Sequence, residues 1–188
     1  MNEQVWNVLP STKPPFPFTH ELANHWMLVT AGQPDDLGTM TINWGGYGFL
    51  WNKDVVFLVI RNSRNTLTYL KKHPTFSLTL FDPSYHDQLF FCGRNSGHTV
   101  NKIAHCNFTP IFDGEEQTPY FAEANSAIFC RQLFRTTIEQ DGFLDQFPSQ
   151  IWENWYNSGV HKGDKHQLII ASIEKIMVKG VPENGERT

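Results

Sequence analysis

The residues best equipped for chemistry stand at one junction. Arg61-Asn-Ser-Arg-Asn-Thr66 follows an apolar run at 55–60 and precedes a helical pattern. The run is short and rich in β-branched residues, which suits a buried strand. Ser63, Asn65 and Thr66 are of the types that cap helix starts, where free backbone N–H groups gather partial positive charge. Arg61 and Arg64 add two full charges, and together these are the parts of a phosphate seat. A plainer reading stands beside it: capping residues open most helices, and junction arginines commonly pair with a local carboxylate. A second cluster, Ser96, Gly97 and Lys102, brings a hydroxyl, a glycine and a cation to the opening of another short helix. Two such clusters favour an anionic ligand more than either alone.

Just upstream, Thr39, Thr41 and Asn43 alternate with Met40, Ile42 and Trp44, the period of a half-buried strand. Gly45, Gly46 and Gly48 follow without the strand–turn–helix setting of a dinucleotide fingerprint. They indicate close backbone approach, to a ligand or at a barrel corner. The histidine pairs 20/25, 98/105 and 161/166 lack the i, i+4 spacing of a compact metal site. Cys92 and Cys130 lie in apolar contexts and read as small buried hydrophobes.

A chain of 188 residues with 40% hydrophobic residues, 15 Phe and 6 Trp is long and apolar enough for one domain with a sizeable core. The net charge of −4 excludes a general nucleic-acid surface, so any anion site must be local. Three cysteines without a C-x-x-C argue against a disulfide framework and for a reducing, cytoplasmic setting. The N-terminus shows no signal-peptide pattern, and no apolar run is long enough to span a membrane.

The elements that must position these residues are short. Pro10, Pro14, Pro15 and Pro17 make residues 1–18 an extended arm, whose Trp6, Val8, Leu9 and Phe16 pack on the chain's own barrel or on a partner subunit. Strands are expected at 26–31, 39–44, 55–60, 76–81, 127–138 and 165–179. Short helices are expected at 66–73 (stopped by Pro74), 83–92, 99–105 and 148–157. Residues 93–98 read as a polar turn, 108–123 as an irregular acidic loop, and 181–188 as a frayed end. The whole is one mainly β (α+β) domain over 19–180, a barrel with peripheral short helices rather than a βαβ sheet.

With these motifs in order, the chain resembles the flavin reductase-like family with the FMN-binding split-barrel fold, especially its flavoredoxin-like branch. The resemblance runs from about residue 26 to about residue 176. It rests on Thr39-Met-Thr-Ile-Asn-Trp-Gly-Gly46, Arg61-Asn-Ser-Arg-Asn-Thr66 and Cys92-Gly-Arg-Asn-Ser-Gly-His-Thr-Val-Asn-Lys102, with a weaker match at Gly163-Asp-Lys-His166. It implies a homodimer holding FMN near the subunit interface and taking electrons from NAD(P)H or a redox protein. By position, Thr39, Met40, Thr41, Ile42, Asn43 and Trp44 line the isoalloxazine ring. Arg61, Ser63, Arg64, Asn65 and Thr66 hold the phosphate, with Ser96, Gly97 and Lys102 closing around it. His166 lies near the flavin and the incoming nicotinamide, in a role favouring its protonated form; otherwise it is a surface residue at a strand entry. The chain departs from the branch at Gly38, Asn43, His98 and Asn101, where Asn, Ser or Gly, Arg and Asp are usual. The other reading that uses the same residues is an FMN-binding protein for sensing or storage.

Overall fold

The computed structural model of the protein describes residues 5–144 and 147–180. In chain order the elements are β1 (Trp6–Val8), α1 (Phe18–Asn24), β2 (Met27–Gln33), β3 (Asp36–Ile42), β4 (Gly45–Leu50), β5 (Lys53–Arg61), α2 (Asn65–Lys72) and β6 (Thr75–Leu80). There follow α3 (His86–Arg94), α4 (Lys102–Cys106), β7 (Pro110–Asp113), β8 (Thr118–Phe121), β9 (Ser126–Thr137), α5 (Phe147–Tyr156) and β10 (His166–Lys179).

Tight turns build the first half. Gln33 pairs with Asp36, leaving Pro34 and Asp35 to turn β2 into β3. Leu50 pairs with Lys53, and Trp51 and Asn52 between them both have positive φ, as the twist of a two-residue hairpin demands. The glycines before that hairpin serve close approach: Gly45 sits at φ 153°, where a Cβ would strike the Phe57 carbonyl.

The main sheet runs β3-β2-β6-β9-β10-β5-β4, antiparallel throughout, with β1 added to β10. Its two edges, β3 and β4, are neighbours in sequence and are joined only through Asn43 and Trp44. A link that short forces the sheet to curl until its edges face each other. The result is a barrel split between β3 and β4, and the split falls on the residues the sequence marks out. Met27, Val29, Met40, Ile42, Val56, Leu58, Phe76, Ile128 and Ile169 fill the interior. A second core lies outside the barrel, where Leu89 and Cys92 of α3 pack on Cys106, Phe108 and Phe121. Among the described residues no helix is long and apolar enough to cross a membrane.

Several sequence expectations change. The N-terminal arm is not wholly extended: Trp6–Val8 pairs with β10, Trp6 meets Tyr120 edge-on at 5.4 Å, and a helix starts at Phe18 with Phe18 and Leu22 buried one turn apart. The arm therefore packs on its own barrel. The segment expected as an irregular loop at 108–123 contains the β7–β8 ribbon. It is anchored by Ser77 donating to the Pro119 carbonyl (2.5 Å) and by Thr118 donating to Thr75 (2.7 Å). A two-stranded ribbon has only edges, where proline is tolerated. Gly93 and Arg94 belong to α3 rather than to a turn, and α4 begins only at Lys102, where the Asn101 side chain caps the Ala104 N–H at 3.1 Å. The expected frayed end at 181–188 lies outside the described residues.

Candidate functional site

Two cavities flank β3 and the start of α2. The smaller, about 190 Å³, lies at the split; Met40, Thr41, Ile42, Asn43 and Trp44 form one wall. Val59, Arg61 and Arg64 come to it from the β5–α2 junction, and Trp155, His161 and His166 from the C-terminal third. The larger, about 570 Å³, opens on the other side between Gly38, Thr39, Asn65 and Tyr69 and the segment Gly97–Ile103, including Lys102. The predicted residues are thus divided between two adjoining spaces. Ser63, Thr66 and Ser96 line neither, and Thr66 is buried.

Each cation of the seat is held by the chain itself. Arg61 is buried and donates from Nη1 to the Asp164 carbonyl (2.6 Å) and from Nη2 to the Trp155 carbonyl (3.1 Å), with its guanidinium over the Tyr156 ring. Arg64 donates to the Gly93 carbonyl at 2.8 Å, and burial, aided by repulsion from Arg61, lowers its pKa. Lys102 is buried and donates to the carbonyls of Cys92 (2.7 Å) and Thr39 (3.0 Å); burial pushes it down to about 8. Among the described residues, none of these three cations has a carboxylate oxygen within ion-pair distance. An ammonium has three N–H donors, and two are taken.

Ser63 is placed differently from the expectation. Its N–H and hydroxyl both donate to the Asp164 carboxylate, at 3.0 and 2.6 Å, so an internal anion takes the donors assigned to a phosphate. Among the described residues no side chain caps α2, whose N-cap position is Arg64. The Thr39 hydroxyl is bonded to Thr30 inside the barrel (2.9 Å), and Thr41 donates to the Leu89 carbonyl, tying β3 to α3. The exposed Ser96 accepts the His98 N–H at 3.2 Å. Gly97 lies so close to Asn65 that a Cβ would come within 2.7 Å of its Nδ2.

His166 is neither a surface residue nor protonated. It is 5% exposed, its Nδ1 lies 2.9 Å from the Tyr156 hydroxyl, and its ring stands 5.2 Å from Trp44 and 5.4 Å from Tyr156. Burial, then the nearby Arg61, depresses its pKa to about 4, so the imidazole is neutral at pH 7. Trp155 meets Trp44 edge-on at 4.7 Å, with both rings partly exposed at 46% and 37%. The sequence reading missed Trp155, Tyr156, His161 and Asp164. The i, i+3, i+4 spacing of Trp152, Trp155 and Tyr156 signalled an apolar helix face, but not what that face would meet.

No curated protein matches the chain. The flavin reductase like domain family matches residues 19–186. The protein belongs to this family. Solved structures agree on the fold of this flavin reductase-like domain. An FMN-binding domain of a flavin reductases-like enzyme from Shewanella baltica is 14% identical, with a TM-score of 0.65 over 95% of this chain and 79% of that one. Flavoredoxin from Methanosarcina acetivorans is 18% identical, with a TM-score of 0.59 over 80% of this chain and 66% of that one, so the match spans just under two thirds of that relative. A split barrel domain protein from Shewanella frigidimarina is 11% identical, with a TM-score of 0.61 over 91% and 74%. At these identities the likeness establishes the mainly β split-barrel fold and leaves the site to be argued from its own residues.

Proposed function

We propose that this flavin reductase-like domain binds FMN at the split of its barrel and serves as an oxidoreductase, taking electrons from NAD(P)H or a redox protein. The observation that carries the reading is a set of three cations, buried Arg61 and Lys102 and half-buried Arg64, without an ion-pair partner among the described residues, in a chain of net charge −4. Buried charge without a partner is costly, and a phosphate dianion supplies the missing charge. The donor set fits: Arg64 and Lys102 border the two cavities that meet at β3, and the rings of Trp44, Trp155 and His166 offer planar surface for a ring system. Among the described residues β3 is a sheet edge without a strand on its outer side, and apart from the Thr39 carbonyl, which Lys102 takes, its outer backbone groups suit the polar rim of a flavin.

The bound flavin supplies the two-electron chemistry, so the chain needs no acid–base triad of its own. Arg64 and Lys102 bind and orient the phosphate end. Trp44 and Trp155 exclude water from the ring. Neutral His166 shares Nδ1 with Tyr156, and its other ring nitrogen remains to hold an incoming reductant. Exposed Phe49, Trp51 and Trp155 supply apolar surface suited to the interface of a homodimer.

Purified protein should be yellow and release FMN on denaturation. The apoprotein should bind FMN more tightly than riboflavin, and FAD no better than FMN. Aerobic oxidation of NADH or NADPH separates an enzyme from a sensing or storage protein, and light scattering tests the dimer. Equal affinity for FMN and riboflavin would remove the phosphate seat and the reading with it.

A further inference from the structure

Two thiols that play no part in this reading face each other behind the larger cavity. The Sγ atoms of Cys92, in the last turn of α3, and Cys106, at the end of α4, lie 3.8 Å apart in the outer core. The segment between them carries Gly97, His98, Thr99, Val100, Asn101 and Lys102, one wall of the 570 Å³ cavity. Lys102 is also tied to the Cys92 carbonyl, so the position of Cys92 and the cavity wall are mechanically linked. On the other flank Cys106 lines a separate cavity of about 280 Å³ with Gln88, Phe91 and His105. The Gln88 Oε1 atom is buried without a hydrogen-bond partner among the described residues, and the Cys106 thiol faces the backbone carbonyl of the same Gln88 at 3.7 Å.

We infer that Cys92 and Cys106 form a reversible redox staple, closed by hydroperoxides entering beside Cys106, that fastens the segment walling the larger cavity. Bridging requires the sulfurs to approach by roughly 2 Å, within the reach of two short side chains at helix ends. The Cys106 thiolate attacks one peroxide oxygen; the O–O bond breaks and the departing hydroxide takes a proton to become water. Cys106 is then a sulfenic acid, whose O–H finds an acceptor in Gln88. Cys92, losing its proton, attacks the Cys106 sulfur; the S–S bond forms, the S–O bond breaks, and a second water leaves. Two thiols lose two electrons and two protons, and hydrogen peroxide becomes two waters.

Cys106 reacts first because it reaches a cavity, whereas Cys92 is fully buried. Burial pushes the Cys92 thiol up to about 12 and raises Cys106 as well, so both are protonated at neutral pH and closure is slow. The pair responds to sustained peroxide rather than to a brief pulse. Cys130 sits inside the barrel, in a different core cluster from the pair, and takes no part.

The test is oxidation of the full chain with excess hydrogen peroxide, followed by alkylation under denaturing conditions and peptide mapping. The expected result is a peptide cross-linked through Cys92 and Cys106, with Cys130 alkylated and the link lost on treatment with dithiothreitol. Slower hydrogen exchange over residues 93–105 and a rise in Tm of about 5 °C should accompany it. Cys106→Ser should abolish the link and both shifts, and Cys130→Ala should leave all three in place. Full alkylation of all three cysteines after oxidation, a link to Cys130, or stable sulfinic acid in place of the link would each overturn the inference. These readouts need no flavin; the staple's effect on ligand affinity rests on the flavin reading, and FMN titration of the two redox forms reports it separately.

Discussion

On one flank of the β5–α2 junction, Arg61 gives its hydrogen bonds to carbonyls of the C-terminal third, at Trp155 and Asp164. On the other, Arg64 gives one to Gly93, and Lys102 two to Cys92 and Thr39. The flanks use the same chemistry to different ends. The Arg61 side carries its own anion: Asp164 satisfies Ser63, and the space beside it is lined with aromatic rings and a neutral histidine. On the Arg64–Lys102 side the charges are held by carbonyls alone, with Arg64 lining the smaller space and Lys102 the larger. Arg61, with both terminal nitrogens bonded and its guanidinium over a ring, locks structure; Arg64, with one such bond, and Lys102, with an N–H to spare, are available to a ligand.

The contrast is broken most severely at Arg61. Arg61→Met should lower stability by about 3 kcal/mol, because two part-buried carbonyls lose a charge-assisted donor and the Tyr156 ring loses its cation. Urea denaturation measures it, and a loss below about 1 kcal/mol would mean that Arg61 is not the lock.

The next effect in size is titration of His166. Its native pKa is about 4 against an ordinary 6.5. Above pH 6.5 both native and unfolded chains are neutral there, and the full stability is present. As pH falls below 6.5 the unfolded chain takes up a proton that the native site refuses. Stability therefore drops by about 1.4 kcal/mol per pH unit, approaching about 3 kcal/mol by pH 4. His166→Gln removes this titration, so the stability–pH curve of the variant should be shallower between pH 6.5 and 4. Parallel curves would show that the imidazole is not held neutral.

The smallest effect falls on the ligand side and sharpens the contrast most. Arg64→Ala should weaken FMN binding by about 2 kcal/mol, the scale of one charge-assisted hydrogen bond, and riboflavin binding much less. Its cost in folding stability should be below that of Arg61→Met. Isothermal titration with both ligands reads the first difference, and urea denaturation the second.

The order of strands and short helices was legible because each rests on local pattern. Alternation marked β3, the β-branched run marked β5, and Pro74 ended α2 where expected. Family membership was legible for a related reason: three motifs in fixed order are each local, and they pointed to the family although overall identity to these solved structures is only 11–18%. The β7–β8 ribbon was not, because its prolines and acidic residues carry loop chemistry and its pairing is anchored by Ser77 and Thr75 of a distant strand.

At the site the division is sharper. The sequence alone determined which residue types gather at the junction, since Arg61, Ser63 and Arg64 are adjacent and need only a strand that ends and a helix that begins. Only the tertiary structure decided what they hold. Asp164 lies 101 residues from Ser63 along the chain, and no local rule brings it there. His166 has the composition of a pH-sensitive group, but burial beside Arg61 and Tyr156 makes it neutral. Cys92 and Cys106 are separated by 14 positions without a recognisable spacing, and the packing of α3 on α4 sets their sulfurs face to face. Charge state and partnership depend on solvent exclusion and on groups far away in sequence, and both exist only once the barrel has closed.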